Sequence, residues 1–316
     1  MNKKITIIGC GNVGATVAYT LSQNNLASEL VLLDVNRAKA EGEAMDIGQG
    51  APFSTPLKIY AGDYPDTAGS DIVIITSGIG RKPGQSRLEL ASINAEIMKD
   101  LAPKIASYCP NAIYIIVTNP VDVLTYAFIK YSGVSPMQVI GSGTMLDTAR
   151  LRTLVSQRLE VSAKNIHAYV FGEHGDSSIF PWSVTSVIGM NFREYCRYIK
   201  HYTDDQTDFF LHTVESDVRN AGGDIIKRKG ATFHAVSTCI ASIVRSIFDS
   251  NNSVLTVSSL VHNRYGIKDD VCLSLPCVLG PKGIIREVDP PLLDDELAAL
   301  QNSARVLRKT LDSINL

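Results

Sequence analysis

One short segment constrains the fold of this chain more than any other, the glycine pattern "GCGNVG" at residues 9–14. It directly follows an apolar run, "KITIIG", and opens a segment of helical character, "NVGATVAYTLSQNN". In a strand–turn–helix unit, Gly9, Gly11 and Gly14 allow a tight turn, close approach of the backbone to a phosphate group, and close packing of helix on strand. The free N–H groups and positive dipole end at the helix N-terminus attract phosphates. The segment therefore predicts a site for a dinucleotide.

An acidic residue lies at the expected distance from these glycines. Asp34 ends the second apolar run, in "VLLDVN", twenty residues past Gly14. A carboxylate there accepts hydrogen bonds from the adenine ribose hydroxyls and repels a 2′-phosphate, which favours NAD over NADP. Arg37 is a nearby cation that opposes this preference, and the alternative is a turn with a strand-end acid and no ligand. We predict that NAD is bound by the following residues: Gly9, Gly11, Asn12, Val13, Gly14 and Asp34.

The order of apolar runs predicts the fold class. Six short runs, several of them near-continuous in Ile and Val, alternate with longer helical patterns over the first 140 residues. This alternation is typical of a parallel sheet buried on both faces. Strand-like runs at 167–172, 183–189, 253–261 and 271–280 and helical patterns at about 205–228 and 231–249 follow. We predict an α/β protein with a Rossmann-type doubly wound parallel sheet at 1–142 and a mixed α+β catalytic domain at 143–316.

Composition excludes some classes of protein and partner. The net charge of −2 over 316 residues gives no basic excess for binding nucleic acid. No apolar stretch approaches the roughly 18 residues of a transmembrane helix, so no membrane span is expected. The six cysteines form no CxxC pair, which predicts buried free thiols in a reducing compartment. The first apolar run breaks at Gly9 and is too short for a signal peptide, so we expect a cytoplasmic protein.

Two segments carry the residue types of an acid–base site. In "GEHGD", the glycines on both sides of His174 allow the backbone to place the imidazole in a cleft. In "GSGTMLDTARLR", Asp147 and Arg150 lie three residues apart at the start of a helix and therefore on one face. Asp147 would hold His174 in one tautomer and stabilise its protonated form. Arg150 would bind a substrate carboxylate through two parallel hydrogen bonds. The alternatives are a structural histidine and an ordinary helical salt bridge.

A loop with two arginines follows the fourth apolar run. The segment is "RKPGQSR", residues 81–87, and its Pro83 and Gly84 continue neither a strand nor a helix.

Several motifs together resemble the L-lactate/malate dehydrogenase family, from residue 4 to the C-terminus, and most closely its bacterial L-lactate dehydrogenases. They are "GCGNVG", "RKPGQSR", "TNPVD", "GSGTMLDTARLR", "GEHGDSS" and "KGATFHA". The resemblance implies an NAD-dependent oxidoreductase that interconverts a 2-oxo acid and an L-2-hydroxy acid. It implies that His174 donates and accepts the proton, with Asp147 as its acidic partner, and that Arg150 binds the C1 carboxylate. It further implies that Arg87 polarises the carbonyl, that Asn119 lies near the nicotinamide and the reacting oxygen, and that Thr232 lines the pocket.

The resemblance leaves the substrate open. Arg81 matches the discriminating loop position, which is commonly glutamine in lactate dehydrogenases and arginine in malate dehydrogenases. Oxaloacetate carries a second carboxylate where pyruvate has a methyl group, and breaking a buried charge pair costs about 2–5 kcal/mol. "GEHGDSS", Trp182 and Thr232 match the lactate branch. Our hypothesis is an L-lactate dehydrogenase, and the alternative is a malate dehydrogenase.

The resemblance also implies regulation and assembly. Arg152 and His167 match an effector pair in bacterial lactate dehydrogenases activated by fructose 1,6-bisphosphate, a phosphate ligand that a cationic pair can bind. The alternative is an ordinary helix arginine and strand histidine. A homotetramer or homodimer is implied, and we predict no metal site. Two other classes stay open: a metal-dependent NAD glycosidase, for which Glu173, His174 and Asp176 offer ligand types without a cysteine, and a non-catalytic NAD sensor.

Overall fold

The computed structural model describes residues 3–53, 56–80, 84 and 86–316, and the predicted discriminating arginine, Arg81, lies outside them. The helices are α1 (Asn12–Gln23), α2 (Arg37–Gln49), α3 (Arg87–Tyr108), α4 (Val121–Ser132), α5 (Met145–Leu159), α6 (Phe192–Tyr198), α7 (Asp204–Lys229), α8 (His234–Asp249) and α9 (Asp294–Ser313). The strands are β1 (Lys4–Ile8), β2 (Glu29–Leu33), β3 (Lys58–Ala61), β4 (Ile72–Ile75), β5 (Ile113–Ile116), β6 (Val139–Gly141), β7 (Ile166–His167), β8 (Ser186–Val187), β9 (Met190–Asn191), β10 (Val254–Val261), β11 (Val271–Gly280) and β12 (Gly283–Glu287).

The first six strands form a parallel sheet in the order β6-β5-β4-β1-β2-β3. The apolar runs make such strands because helices cover both faces, so that alternate residues enter two different cores. In β4, Val73 and Ile75 belong to a core shared with α3, α4 and α9, whereas Ile72 and Ile74 belong to a core shared with α1 and α8. The order reverses between β1 and β4, where open α/β sheets bind their ligands.

The second half of the chain extends this sheet and adds a smaller one. β10 pairs antiparallel with β6 at Ser258 and Gly141, and β11 and β12 continue the sheet outward. Within the described ranges, β7, β8 and β9 form a separate antiparallel sheet. The predicted fold class, a Rossmann-type parallel sheet followed by a mixed α/β part, is confirmed. The predicted boundary at residue 142 stays a prediction.

Two strand predictions in the second half were too long. Runs 167–172 and 183–189 yield only the two-residue strands β7 and β8. The backbone beyond β7 pairs at single residues, Phe171 with Ile179 and Gly172 with Ser274, so no continuous ladder forms. The chain turns there instead, because Gly172 has a φ of +82°, which favours glycine.

Candidate active site

The glycine turn at the carboxyl end of β1 has the shape that a dinucleotide requires. A Cβ at Gly14 would lie 1.8 Å from the Gly9 carbonyl oxygen, and one at Gly9 would lie 2.6 Å from the Ser77 amide nitrogen. Gly11, by contrast, is exposed, has no atom within 4 Å of a Cβ position, and precedes α1 without a side-chain cap. The first N–H groups of α1 therefore face open space, where a pyrophosphate can approach the backbone.

Asp34 is fixed beside this turn. Its Oδ2 accepts the Cys10 N–H at 2.6 Å and its Oδ1 accepts the Asn36 N–H at 2.8 Å. The guanidinium of Arg37, the nearby cation, forms ion pairs with Glu41 at 3.0 Å and with Asp63 at 2.7 Å. The carboxylate thus lies at the end of β2 next to the glycines, as binding of ribose hydroxyls requires.

The structure links three predicted residues by hydrogen bonds between their side chains. His174 Nδ1 lies 2.6 Å from Asp147 Oδ2, and Arg150 Nη1 donates to Asp147 Oδ1 at 3.0 Å. The side chains of His174, Asp147 and Arg150 are 25, 11 and 16% exposed, so the carboxylate is buried and the imidazole keeps some access to solvent. Because the carboxylate occupies Nδ1, Nε2 is left for a reacting oxygen.

The contact between His174 and Asp147 shifts the pKa values of these two groups in opposite directions. Burial opposes the protonated imidazole, but the charge and hydrogen bond of Asp147, together with the charge of Asp122, outweigh it and raise the pKa of His174. Burial likewise opposes the Asp147 carboxylate, but His174 and then Arg150 outweigh it and lower the pKa of Asp147. Both shifts favour the protonated imidazole beside an ionised carboxylate, the pairing that suits a general acid.

The loop that carries His174 is anchored by bonds that sequence reasoning missed. The His174 backbone N–H donates to Asp122 Oδ2 at 2.7 Å, from the first turn of α4. The neighbouring Glu173 N–H donates to Ser303 Oγ of α9 at 2.8 Å. Asp122 belongs to "TNPVD", from which only Asn119 was predicted, and its acidic type within that motif was the available signal.

Arg87 lies at the start of α3, which Ser86 and Glu89 cap reciprocally. Its Nη2 lies 2.9 Å from Asp176 Oδ2, two residues past His174, and both side chains are largely exposed. The structure therefore places Arg87 against the His174 loop, through a partner that the sequence did not predict. The described residues contain no group of three or more His, Cys, Asp or Glu side chains that could hold a metal ion.

Asn119 and Thr232, the other two predicted residues of the site, make no side-chain hydrogen bond to His174, Asp147 or Arg150 within the described residues. The Asn119 carbonyl accepts a hydrogen bond at 2.8 Å from Asn94, a buried α3 residue that also binds the backbone of Ile79. Thr232 is half-buried just past the end of α7, and no hydrogen bond between its side chain and the cluster occurs in the described part of the chain.

Of the two predicted effector residues, Arg152 contacts the backbone of the segment that follows His167. Arg152 Nε donates to the carbonyl of Ala168, the residue after His167, at 2.9 Å, and its guanidinium lies 5.1 Å from the Tyr169 ring centre. Burial lowers the pKa of Arg152. His167 is exposed in β7.

Comparison with known proteins connects this geometry to a family. The family model of the lactate/malate dehydrogenase NAD binding domain matches residues 3–141. The family model of the lactate/malate dehydrogenase alpha/beta C-terminal domain matches residues 144–315. The chain belongs to the lactate/malate dehydrogenase family. The family resemblance predicted from the sequence motifs is thereby confirmed. The chain is an NAD-dependent 2-hydroxyacid dehydrogenase of lactate dehydrogenase type, and NAD is its cofactor.

Individual members of the family are similar over the whole chain. L-lactate dehydrogenase 1 of Clostridium acetobutylicum is 47% identical over 313 residues, which cover 99% of each chain. L-lactate dehydrogenase of Acetivibrio thermocellus is 44% identical over 314 residues, 99% of this chain and 98% of the relative. A lactate dehydrogenase from a Medee basin deep-sea metagenome library superposes with a TM-score of 0.95 at 39% identity, covering 100% of this chain and 99% of the other. None of the helices in the described ranges is long and apolar enough to span a membrane.

Proposed function

We propose that this chain catalyses the reversible, NADH-dependent reduction of pyruvate to L-lactate. The observation that carries the proposal is the bonded chain Arg150–Asp147–His174, which places a carboxylate-binding cation and a proton donor side by side. Relatives that are 42–47% identical are named L-lactate dehydrogenase, which favours pyruvate over the malate dehydrogenase alternative.

Each of these three hydrogen-bonded residues would have one task in the reaction. Arg150 binds the C1 carboxylate of the substrate, since a guanidinium offers two parallel N–H donors to a carboxylate. His174 Nε2 donates its proton to the carbonyl oxygen during reduction and accepts it during oxidation. Asp147 fixes the tautomer by binding Nδ1 and stabilises the imidazolium. NADH supplies the hydride to the carbonyl carbon.

Arg87, Asn119 and Thr232 would surround the substrate in this reaction. Arg87, which is largely exposed beside the His174 loop, would stabilise negative charge on the carbonyl oxygen once bound substrate excludes water from the site. Its bond to Asp176 keeps it next to the His174 loop. Asn119 lies toward the nicotinamide side and Thr232 forms part of the pocket wall. The glycine turn with Asn12, Val13 and Asp34 binds the dinucleotide.

Comparison of two substrates tests the assignment. We expect kcat/KM with NADH to be higher for pyruvate than for oxaloacetate, because the named relatives act on lactate and the cluster needs only one substrate carboxylate. Steady-state kinetics with each substrate gives the ratio. A preference for oxaloacetate above about a hundredfold would show that a second buried charge pair dominates and would contradict the proposal. Arg81→Gln should then shift the preference toward pyruvate.

We further propose an effector site at Arg152 and His167 and a homotetramer or homodimer in the cytoplasm, with a domain boundary near residue 142. The hydrogen bond from Arg152 to Ala168, the residue after His167, supports the effector site, because a guanidinium beside this segment can bind a phosphate dianion. The six cysteines are all buried and unpaired, which agrees with a reducing compartment.

Titration with fructose 1,6-bisphosphate tests the effector site. We expect it to lower the apparent KM for pyruvate or to shift the mass measured by light scattering toward the larger oligomer. Arg152→Gln should remove the response without changing activity in the absence of the effector. An unchanged rate and mass over the titration would reject the site.

A further inference from the structure

α7 carries two adjacent glycines in its interior, Gly222 and Gly223, and the mechanism above does not account for them. Glycine destabilises the interior of a helix relative to alanine, because it has more backbone freedom to lose on folding. The helix nevertheless continues through both glycines to Lys229. A glycine inside a regular helix therefore calls for a reason in packing or in function.

Packing of the chain itself does not require either glycine. Both have helical backbone angles, so neither needs the left-handed conformation that favours glycine. A Cβ at Gly223 would meet no atom of the described residues within 4 Å. A Cβ at Gly222 would meet Arg150 at 3.5 Å, which is an ordinary van der Waals distance. Alanine would therefore fit at both positions.

The two glycines face different surroundings. The Cβ position of Gly222 lies 3.5 Å from Nη2 and 3.8 Å from Nη1 of Arg150, whose guanidinium would bind the C1 carboxylate of the substrate. Gly223 is exposed and lies about 100° further round the helix. A side chain at position 222 would therefore stand beside a bound substrate, and glycine leaves that space to the substrate.

The face of α7 that contains Gly222 is apolar on both sides of it. Val218, four residues earlier, is buried in a core shared with α5. Ile225 and Ile226 follow Gly222 at spacings of three and four, so they lie on the same face, and they are 37 and 51% exposed. The apolar face thus runs from the core past Arg150 to the surface, and it suits an aliphatic group.

Two cations border this face, and both have other contacts. Arg219 donates from Nη2 to the Ser178 carbonyl at 2.9 Å. The Lys229 ammonium lies 3.7 Å from the ring centre of Phe233. These contacts favour a neutral substrate side chain at Gly222 over one that carries a second carboxylate.

We propose that Gly222 determines the size of the substrate side chain, and that the enzyme also reduces 2-oxo acids whose aliphatic side chain is larger than the methyl group of pyruvate. This inference rests on the proposed function, since the C1 carboxylate binds Arg150 and His174 donates the proton as before. NADH again supplies the hydride, so only the group on the carbonyl carbon differs. That group would lie along Gly222 toward Ile225 and Ile226, where burial of each methylene is favourable.

A panel of substrates tests the inference on the wild-type enzyme. We expect kcat/KM with NADH for 2-oxobutyrate and for 4-methyl-2-oxopentanoate to lie within about tenfold of the value for pyruvate. A pocket closed around a methyl group would instead reject each added methylene by about 10–200-fold. A value for either acid below about a tenth of that for pyruvate would overturn the inference.

Gly222→Ala tests the position, because it adds one methyl group beside Arg150. We expect the ratio of kcat/KM for 4-methyl-2-oxopentanoate to kcat/KM for pyruvate to fall by about tenfold or more. The ratio is internal to one variant, so a general change in activity cancels. Alanine is the better helix former, so the variant should fold.

Gly223→Ala is the matched control. It makes the same substitution one residue along the same helix, with the same gain in helix propensity, but its Cβ has no atom of the described residues within 4 Å. Its ratio should equal that of wild type. Equal ratios in wild type and both variants would show that Gly222 does not limit the substrate side chain, and would overturn the inference.

Two further outcomes separate the inference from the proposed function. A wild type that reduces pyruvate but not the larger acids would overturn the inference and leave the proposed function standing. Inactivity toward all three acids would refute the proposed function. The side chain of 2-oxoglutarate ends in a carboxylate, and a higher kcat/KM for it than for 4-methyl-2-oxopentanoate would mean that a charged group occupies the space, which contradicts the inference.

Discussion

Asparagine in place of His174 is expected to lower kcat for pyruvate reduction by about 10²–10⁴-fold, the usual contribution of a positioned general acid. The asparagine amide can still donate a hydrogen bond to the Asp147 carboxylate, but it has no acidic proton to transfer at neutral pH. Binding of NADH should be unchanged, because the dinucleotide turn lies at the end of β1 and contains no residue of this cluster. Stopped-flow kinetics and NADH fluorescence titration measure the two quantities.

The chain offers a matched control for this variant. His262 also binds an aspartate through Nδ1, at 2.6 Å from Asp270, but on the surface, where its side chain is 57% exposed. His262→Asn therefore removes a histidine–aspartate pair of the same geometry without touching the cluster at His174. We expect it to retain wild-type kcat. Turnover of the His174→Asn variant at the wild-type rate would refute the proposed mechanism.

The local parts of this structure were predictable from sequence because they depend on neighbours in the chain. The glycine turn, the buried strands and the two long helices of the second half follow from spacing and periodicity over a few residues. α7 and α8 begin and end within three residues of their predicted bounds. β7 and β8 were predicted too long, since only the tertiary structure decides whether an extended segment finds a partner strand.

The site was predictable only where residue type carried the chemistry. His174 and Asp147 were paired by their types, and the structure places them 2.6 Å apart. Asp122 and Asp176 lie in motifs that were noticed, but their partners are 52 and 89 residues away, and no local pattern indicates such contacts. Acidic residues in a recognised motif are therefore candidates for contacts that only the folded chain reveals.

Lysine in place of Arg150 is expected to raise KM for pyruvate strongly and to lower kcat/KM by about thirty-fold or more. Lysine keeps the positive charge but loses the planar pair of N–H donors that binds a carboxylate through two bonds. Arg150 is only 16% exposed and is bonded to Asp147, so a lysine there has little freedom to reach the substrate in another way. Steady-state kinetics at saturating NADH measures both constants.

Arg158→Lys is the control for this change, because Arg158 lies on the same helix and pairs with Asp217 of α7 away from His174. Its kinetic constants should match those of wild type, so that a loss in Arg150→Lys alone points to the substrate carboxylate. Arg150 is also bonded to Asp147, so we expect some loss of kcat as the carboxylate becomes less well fixed. A variant with unchanged KM and reduced kcat would mean that Arg150 acts only through Asp147, and the carboxylate of the substrate would then need another partner.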